Sequence, residues 1–321
     1  MVKKILIVGC GNIGSRHLQA ISKLNENLEI HVVEPNKKAV LVAKNRLKEI
    51  KNSKKHIFTW YKQVHELNSC FDLSIVATNS DIRKNIIVDL LKMDNSKFLL
   101  EKIVCQSESD YKHLITNIKK HKAKAWVNLP MHYFPFFKNL KKKFKTSQSI
   151  YMSILTGNKG LGSTAIHYID LFSWLCDRKN VHLNGDLIIP EIQLNKRGKN
   201  FSEFAGIILG FTKNSQLSIN FNPSIVLPII VNIWSGKKHI IIDETNQKII
   251  YSNYFSKSEL NFRYVHISET TTLIAKEILT RSRCSLPTLE SSFNIHKELF
   301  RVFNRHISNV TGKTNQICPI T

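Results

Sequence analysis

Three glycines and one carboxylate carry the first chemical signal in this sequence. Gly9, Gly11 and Gly14 stand as GCGNIG, directly after the apolar run KILIV (4–8) and directly before SRHLQAISKL, where Leu18, Ile21 and Leu24 recur at helical spacing. Glu34 lies 20 positions after Gly14, at the end of the strand-like LEIHVVEP. A glycine turn between a strand and a helix suits recognition of a pyrophosphate. Gly9 permits the tight turn, Gly11 lets the backbone approach the ligand, and Gly14 lets the helix lie close on the sheet. The helix start, with the backbone of Asn12 and Ile13, offers N–H groups and partial positive charge to phosphate oxygens. Glu34 can accept hydrogen bonds from the adenosine ribose hydroxyls. Its charge repels a 2′-phosphate and favours NAD, while Lys37 and Lys38 beside it leave NADP open. A glycine turn in an α/β protein that binds no nucleotide is the competing reading.

Further residues could act on a substrate or cofactor. DLSIVAT (72–78) is an apolar strand whose polar end, Thr78-Asn79-Ser80, falls where a cofactor lies in a parallel sheet. KFLLEKI (97–103) ends at Glu101-Lys102. A lysine there faces the cofactor crevice and can hold a substrate hydroxyl and share its proton. On spacing alone, one surface lysine among many is an equal reading. Farther on, His167 and Asp170 are three residues apart and share one helical face.

These residues need a scaffold, and the pattern supplies one. Helices are expected at about 37–50, 61–68, over IRKNIIVDLLKM and over YKHLITNIKKHKAK, with strands near 56–60, 72–78, 97–103 and 125–130. Strands alternating with helices predict a doubly wound parallel sheet over residues 1–124. From 125 to 321 the pattern changes. MHYFPFFKNLKKKF reads as a basic amphipathic helix, SIYMSILTG as a strand and GLGSTAIHYIDLFSWLCD as a helix with an apolar stripe of Ile166, Ile169, Leu171, Phe172 and Leu175. After 182 come short strands separated by Lys213-Asn214, Ser235-Gly236 and Thr245-Asn246, then a terminal helix over roughly 289–306. That part reads as an α/β domain with a mostly antiparallel open sheet.

Composition narrows the function classes. At 321 residues and 42% hydrophobic, the chain can bury two cores. Its longest apolar runs fall short of the ~18–20 residues of a membrane-spanning helix, and the N-terminus reads as a strand rather than a signal peptide. Six scattered cysteines without a CxxC pair read as reduced thiols of a cytoplasmic protein, with no metal site. The net charge of +23 is spread along the chain rather than gathered in one basic tail or helix. This disfavours nucleic acid as a partner and suits a field that draws in an anionic cofactor and an anionic substrate.

Five segments together resemble the Gfo/Idh/MocA family, named for glucose-fructose oxidoreductase and inositol dehydrogenase: GCGNIGSRH (9–17), Glu101-Lys102, VNLPMHYFP (127–135), AIHYIDLFSWL (165–175) and LPTLESSFNIHKE (286–298). The resemblance runs nearly end to end. It implies a Rossmann domain, Glu101 among the cofactor-binding residues, and an open C-terminal sheet that joins subunits as a homodimer or homotetramer. It also implies hydride transfer between NAD(P) and a sugar, polyol or nucleotide-sugar hydroxyl carbon, as in surface glycan synthesis. By position, Lys102 matches the lysine that polarises the substrate hydroxyl, His167 the proposed acid/base, and Asp170 an acidic residue that orients the site or caps packing. Three positions depart from the pattern. Ile103 stands for the proline after the lysine, Ser163 for an aspartate four residues before the histidine, and Arg83 for a histidine near the crevice. Ser163 stays in the catalytic set but can only hydrogen-bond. The departures motivate a second reading, a catalytically impaired nucleotide-binding regulator or scaffold of the same fold. A methyltransferase would leave Lys102 and the HYID element without a role.

Overall fold

The computed structural model describes residues 2–51, 55–144, 149–178, 180–252, 257–261, 263 and 265–321. The chain forms two compact units, each discontinuous in sequence. The first holds residues 1–105, 109–130 and 265–290; the second holds 106–108, 131–264 and 291–321.

In the first unit, six parallel strands form a sheet of order β3-β2-β1-β4-β5-β6. They are β1 (Lys3–Val8), β2 (Leu28–Val33), β3 (Ile57–Tyr61), β4 (Leu73–Val76), β5 (Lys97–Leu100) and β6 (Lys124–Val127). Ile5, Leu6, Ile7, Leu73, Ile75, Phe98 and Leu99 have no solvent exposure. Such runs are apolar on both faces because helices cover both sides of a parallel sheet. The helices are α1 (Asn12–Ile21), α2 (Lys37–Lys48), α3 (Ser80–Lys92) and α4 (Glu108–Lys120). This is the Rossmann strand order, and its direction reverses between β1 and β4, where the glycine turn and Thr78 lie. The helix expected at 61–68 is only a 3₁₀ turn, Val64–Glu66, and residue 61 belongs to β3.

The division expected at 124/125 differs from the observed one in two ways. β6 still pairs with β5 through Val127, so the first unit runs on to 130. A helix not foreseen, α7 (Ile267–Arg281), returns to it and lies on α1. It buries Ile274, Ala275 and Ile278, and Thr272 Oγ1 donates to the Ala20 carbonyl at 2.8 Å. Its ISETTTLIAKEIL pattern mixes β-branched polar residues into the apolar stripe, which masks the period.

The second unit carries an eight-stranded sheet, β16-β15-β14-β13-β7-β12-β11-β8. Its strands are β7 (Tyr151–Gly157), β8 (His182–Ile188), β11 (Gly206–Phe211), β12 (Gln216–Asn222), β13 (Ile230–Ser235), β14 (Lys238–Asp243), β15 (Lys248–Ser252) and β16 (Lys257–Asn261). Every pairing is antiparallel except β12 with β7. A small pair, β9 (Gln193–Leu194) and β10 (Ser202–Glu203), stands apart. The helix expected over 131–144 divides. Residues Pro130–Tyr133 form a 3₁₀ turn, and α5 (Pro135–Lys143) starts with Pro135 in its first turn, where a missing N–H costs nothing. Helix α6 (Leu161–Leu175) buries its whole expected stripe. Helix α8 (Leu289–Thr311) ends the chain's regular structure. No described helix is long and apolar enough to cross a membrane. All six cysteines are thiols.

Candidate active site

The glycine turn is built for close approach. Gly9 adopts φ +82°, and a Cβ there would meet the Thr78 backbone nitrogen at 2.8 Å. A Cβ on Gly14 would lie 1.8 Å from the Gly9 carbonyl oxygen, so α1 can sit this near β1 only with glycine. Above Gly11 there is open space within 4 Å. The N-terminus of α1 has no side-chain cap and no acidic residue in its first turn, which leaves its N–H groups available to an anion. Thr78 Oγ1, across the turn, is buried without a hydrogen-bond partner. Glu34 is preset at the end of β2: Oε2 accepts the Cys10 N–H at 2.7 Å and Oε1 the Asn36 N–H at 2.9 Å. Burial, then the neighbouring Glu34 charge, push the Cys10 thiol up to about 12, so it stays protonated and inert. An open cradle, uncapped amides and an orphaned hydroxyl together fit a dinucleotide. Asn79 and Ser80 begin α3 beside Thr78.

Glu101, expected among the cofactor-binding residues, has its carboxylate held by protein partners. Its buried carboxylate is engaged by His17 Nε2 at 2.9 Å and by the Asn128 amide at 2.5 Å. His17 in turn meets Thr271 Oγ1 at 2.9 Å. A chain Thr271–His17–Glu101–Asn128 thus ties α7, α1 and the ends of β5 and β6 together directly behind Lys102. Burial alone would raise the Glu101 pKa, but the His17 hydrogen bond and charge, the Asn128 amide and the Lys102 charge outweigh it and hold it at about 2. Lys102 itself is buried, and its peptide bond to Ile103 is cis. The sequence marked His17 only as part of a motif, and nothing local could have paired it with residues more than 80 positions away.

In the second unit, α6 carries Ser163, His167 and Asp170. Its N-terminus is held by a residue the sequence did not single out. The Glu203 carboxylate accepts the Gly162 N–H at 2.6 Å, the Ser163 N–H at 3.3 Å and its neighbour Phe204's N–H at 3.1 Å. A carboxylate at this end complements the helix dipole. It fits only because a Cβ on Gly160 would fall 1.9 Å from the Glu203 carboxyl carbon. The Ser163 hydroxyl bonds Gly160 O at 3.4 Å and Thr164 Oγ1 at 3.2 Å. Asp170 is buried, with Oδ2 3.0 Å from His132 Nε2, and His132 stacks on Trp174 at 4.4 Å between centroids. Asp170 therefore braces the MHYFP segment against α6.

Next to His167 on the helix, Tyr168 points inward and bonds the buried Glu244 carboxylate at 3.2 Å. Burial pushes Glu244 up to about 7, against the Tyr168 hydrogen bond and the Lys159 charge. The two acids predict opposite pH responses. Glu101 is depressed, so its stabilisation is present above its unfolded pKa near 4.5 and is lost as pH falls toward 2. Glu244 is raised, so its contribution is full below 4.5 and is lost as pH rises through about 7. Glu244→Gln should melt like wild type at about pH 4 and several degrees higher above about pH 8. Melting curves across pH that run parallel for the two proteins would contradict this.

Residues 3–129 match the model of the oxidoreductase family with an NAD-binding Rossmann fold. That model is the one for the Gfo/Idh/MocA oxidoreductases. The Gfo/Idh/MocA segment thus spans the whole parallel sheet from β1 to β6. No curated protein matches the chain. Among solved structures, the chain is similar to an oxidoreductase from Agrobacterium radiobacter in complex with NAD+, L-tartaric acid and magnesium (12% identity, 98% of each chain covered, TM-score 0.73). It is also similar to a Gfo/Idh/MocA family oxidoreductase from Vibrio cholerae (14% identity, 97% of this chain and all of that one, TM-score 0.69). A third is the UDP-N-acetylglucosamine 3-dehydrogenase from Acidithiobacillus ferrooxidans (11% identity, 94% and 97% covered, TM-score 0.70). These likenesses extend the expected two-part α/β fold over both the Gfo/Idh/MocA segment and the mostly antiparallel sheet that follows it.

Proposed function

We propose that this chain is an NAD-dependent dehydrogenase or reductase acting on a hydroxyl carbon of a sugar, with a nucleotide sugar as the substrate class. The observation that carries the reading is the glycine cradle over an uncapped helix, with the orphaned Thr78 hydroxyl across it. The amides of residues 11–14 would hold the pyrophosphate and Glu34 the ribose hydroxyls, which favours NAD over NADP. Bound there, the nicotinamide supplies the two-electron hydride chemistry. The protein's own part is to bind, orient and move a proton. Lys102 holds the substrate hydroxyl through its ammonium and lowers the cost of its ionisation. His167 takes the hydroxyl proton in oxidation and returns it in reduction. Asp170 acts at a distance from that step, by fixing α6 against His132. Ser163 helps seat the start of the same helix. The charge of +23 supports an anionic substrate, and one structural neighbour acts on a nucleotide sugar.

The test mixes purified protein with NAD+ or NADP+ and a panel of UDP-sugars, polyols and hydroxy acids, and follows absorbance of the reduced cofactor. NAD+ with a nucleotide sugar should give signal. Tight cofactor binding with no turnover of any panel member would favour the regulator or scaffold reading instead.

The same reading gives the second unit's sheet a role in assembly as a homodimer or homotetramer. Tyr151 and Trp234 are register partners on β7 and β13 and are 47% and 37% exposed, with Leu155 at 44% nearby. Large exposed apolar groups on one sheet face suit a subunit interface. Trp234→Asp should shift the protein toward monomer in sedimentation velocity with NAD+ binding kept. An unchanged sedimentation coefficient would count against this interface.

A further inference from the structure

Arg83 is a charged side chain with no solvent exposure, placed in the first turns of α3. Its guanidinium gathers three backbone carbonyls. Nη1 donates to Glu101 O at 2.6 Å and to Ile103 O, and Nη2 donates to Thr78 O. Two of these carbonyls flank Lys102. The third belongs to the residue that packs under the glycine turn. The Glu101 N–H still donates to Val76 O at 3.0 Å, while the carbonyls of residues 101–103 lie beyond the end of β5. These carbonyls therefore need partners from elsewhere, and a buried carbonyl left unpaired is costly. Ile103 also brings no ring to fix its own φ. A planar fork with five donors can serve several acceptors at once; a lysine ammonium offers a single point of attachment.

We propose that Arg83 is a positioning residue for Lys102. By pinning the carbonyls on both sides of that residue, it fixes the direction in which the Lys102 side chain leaves the backbone. It also couples that direction to the end of β4, where the cofactor cradle is built. The core of α3 is supplied by Ile87, Leu90 and Leu91, which are fully buried. A cation at this point has a purpose that an apolar side chain of the same length could not serve. The inference rests on the role given to Lys102 above, but its test does not depend on turnover alone.

Two variants, Arg83→Gln and Arg83→Lys, are compared with wild type by two measurements. The first is trace acetylation with acetic anhydride, read at Lys102 by peptide mass spectrometry. The second is the split between kcat and KM for NAD+, on whichever panel substrate the wild type turns over. With the loop released, Lys102 of the Gln variant should acetylate several-fold faster. Its kcat should fall on the order of 100-fold, the cost of a displacement of about an ångström, while KM for NAD+ holds. Arg83→Lys should recover part of both effects. A folded Gln variant whose Lys102 acetylates at the wild-type rate overturns the proposal. So does failure of both variants to fold, which would assign Arg83 to the fold rather than to the amine. If the wild type turns over nothing in the panel, the dehydrogenase reading fails, while the acetylation arm still decides whether Arg83 governs Lys102.

Discussion

Replacing Lys102 by alanine should lower turnover by about 10²–10⁴-fold while leaving NAD+ affinity within about 2-fold, the range expected for loss of one positioned acid/base or charge-stabilising group. The separation of these two effects is the informative part. Lys102 stands at the end of β5, backed by Glu101, whose carboxylate is already engaged by His17 and Asn128. Removing the amine leaves that support intact, and the cradle of residues 9–14 follows a different strand, β1, of the same sheet. Initial-rate kinetics alongside fluorescence titration with NAD+ separate the two. Equal losses of binding and turnover would mean that Lys102 serves the cradle. Unchanged turnover would remove it from the chemistry. His17→Ala is the contrasting change, because it would strand a buried carboxylate and cost about 3 kcal/mol or more of stability.

A pair of glycine substitutions should produce the second large effect. Gly14→Ala forces a methyl group to within 1.8 Å of the Gly9 carbonyl oxygen, a backbone atom with nowhere to move. The expected result is a loss of about 3 kcal/mol of stability, together with NAD+ binding, since α1 must retreat from the turn. Gly11→Ala meets nothing within 4 Å and has an ordinary negative φ of −66°, so its stability should stay within about 0.5 kcal/mol of wild type. Yet the methyl would occupy the open space through which a pyrophosphate approaches, and NAD+ affinity should fall at least about 10-fold. Thermal melts with and without NAD+ resolve the difference. A Gly11→Ala protein that binds NAD+ as wild type does would show that this space is not the phosphate site.

The parallel half of the fold was legible because its signals are local. The glycine turn, Glu34, and strands such as KILIV and DLSIVAT sit within short windows, and burial on both faces writes itself as a continuous apolar run. The second sheet was legible from its turns. What escaped detection depends on residues far apart in sequence. Helix α7 belongs with α1 although some 250 residues separate Thr272 from its acceptor Ala20. Glu203 caps α6 from another part of the chain, and its only local trace is the need for glycine at 160 and 162. Glu101 illustrates the same limit from the other side. Its place beside Lys102 was visible, but the direction of its carboxylate was decided by His17 and Asn128. Arg83 was noticed as a departure, while its three carbonyl partners emerge only once β4 and β5 lie side by side.

The most direct measurement is a crystal structure of the protein grown with NAD+. The account predicts a pyrophosphate on the amides of residues 11–14, the adenosine ribose hydroxyls on the Glu34 carboxylate, Thr78 Oγ1 within hydrogen-bonding reach of the cofactor, and the nicotinamide on the Lys102 side of the crevice. Density for the dinucleotide elsewhere, or a nicotinamide turned away from Lys102, would contradict it.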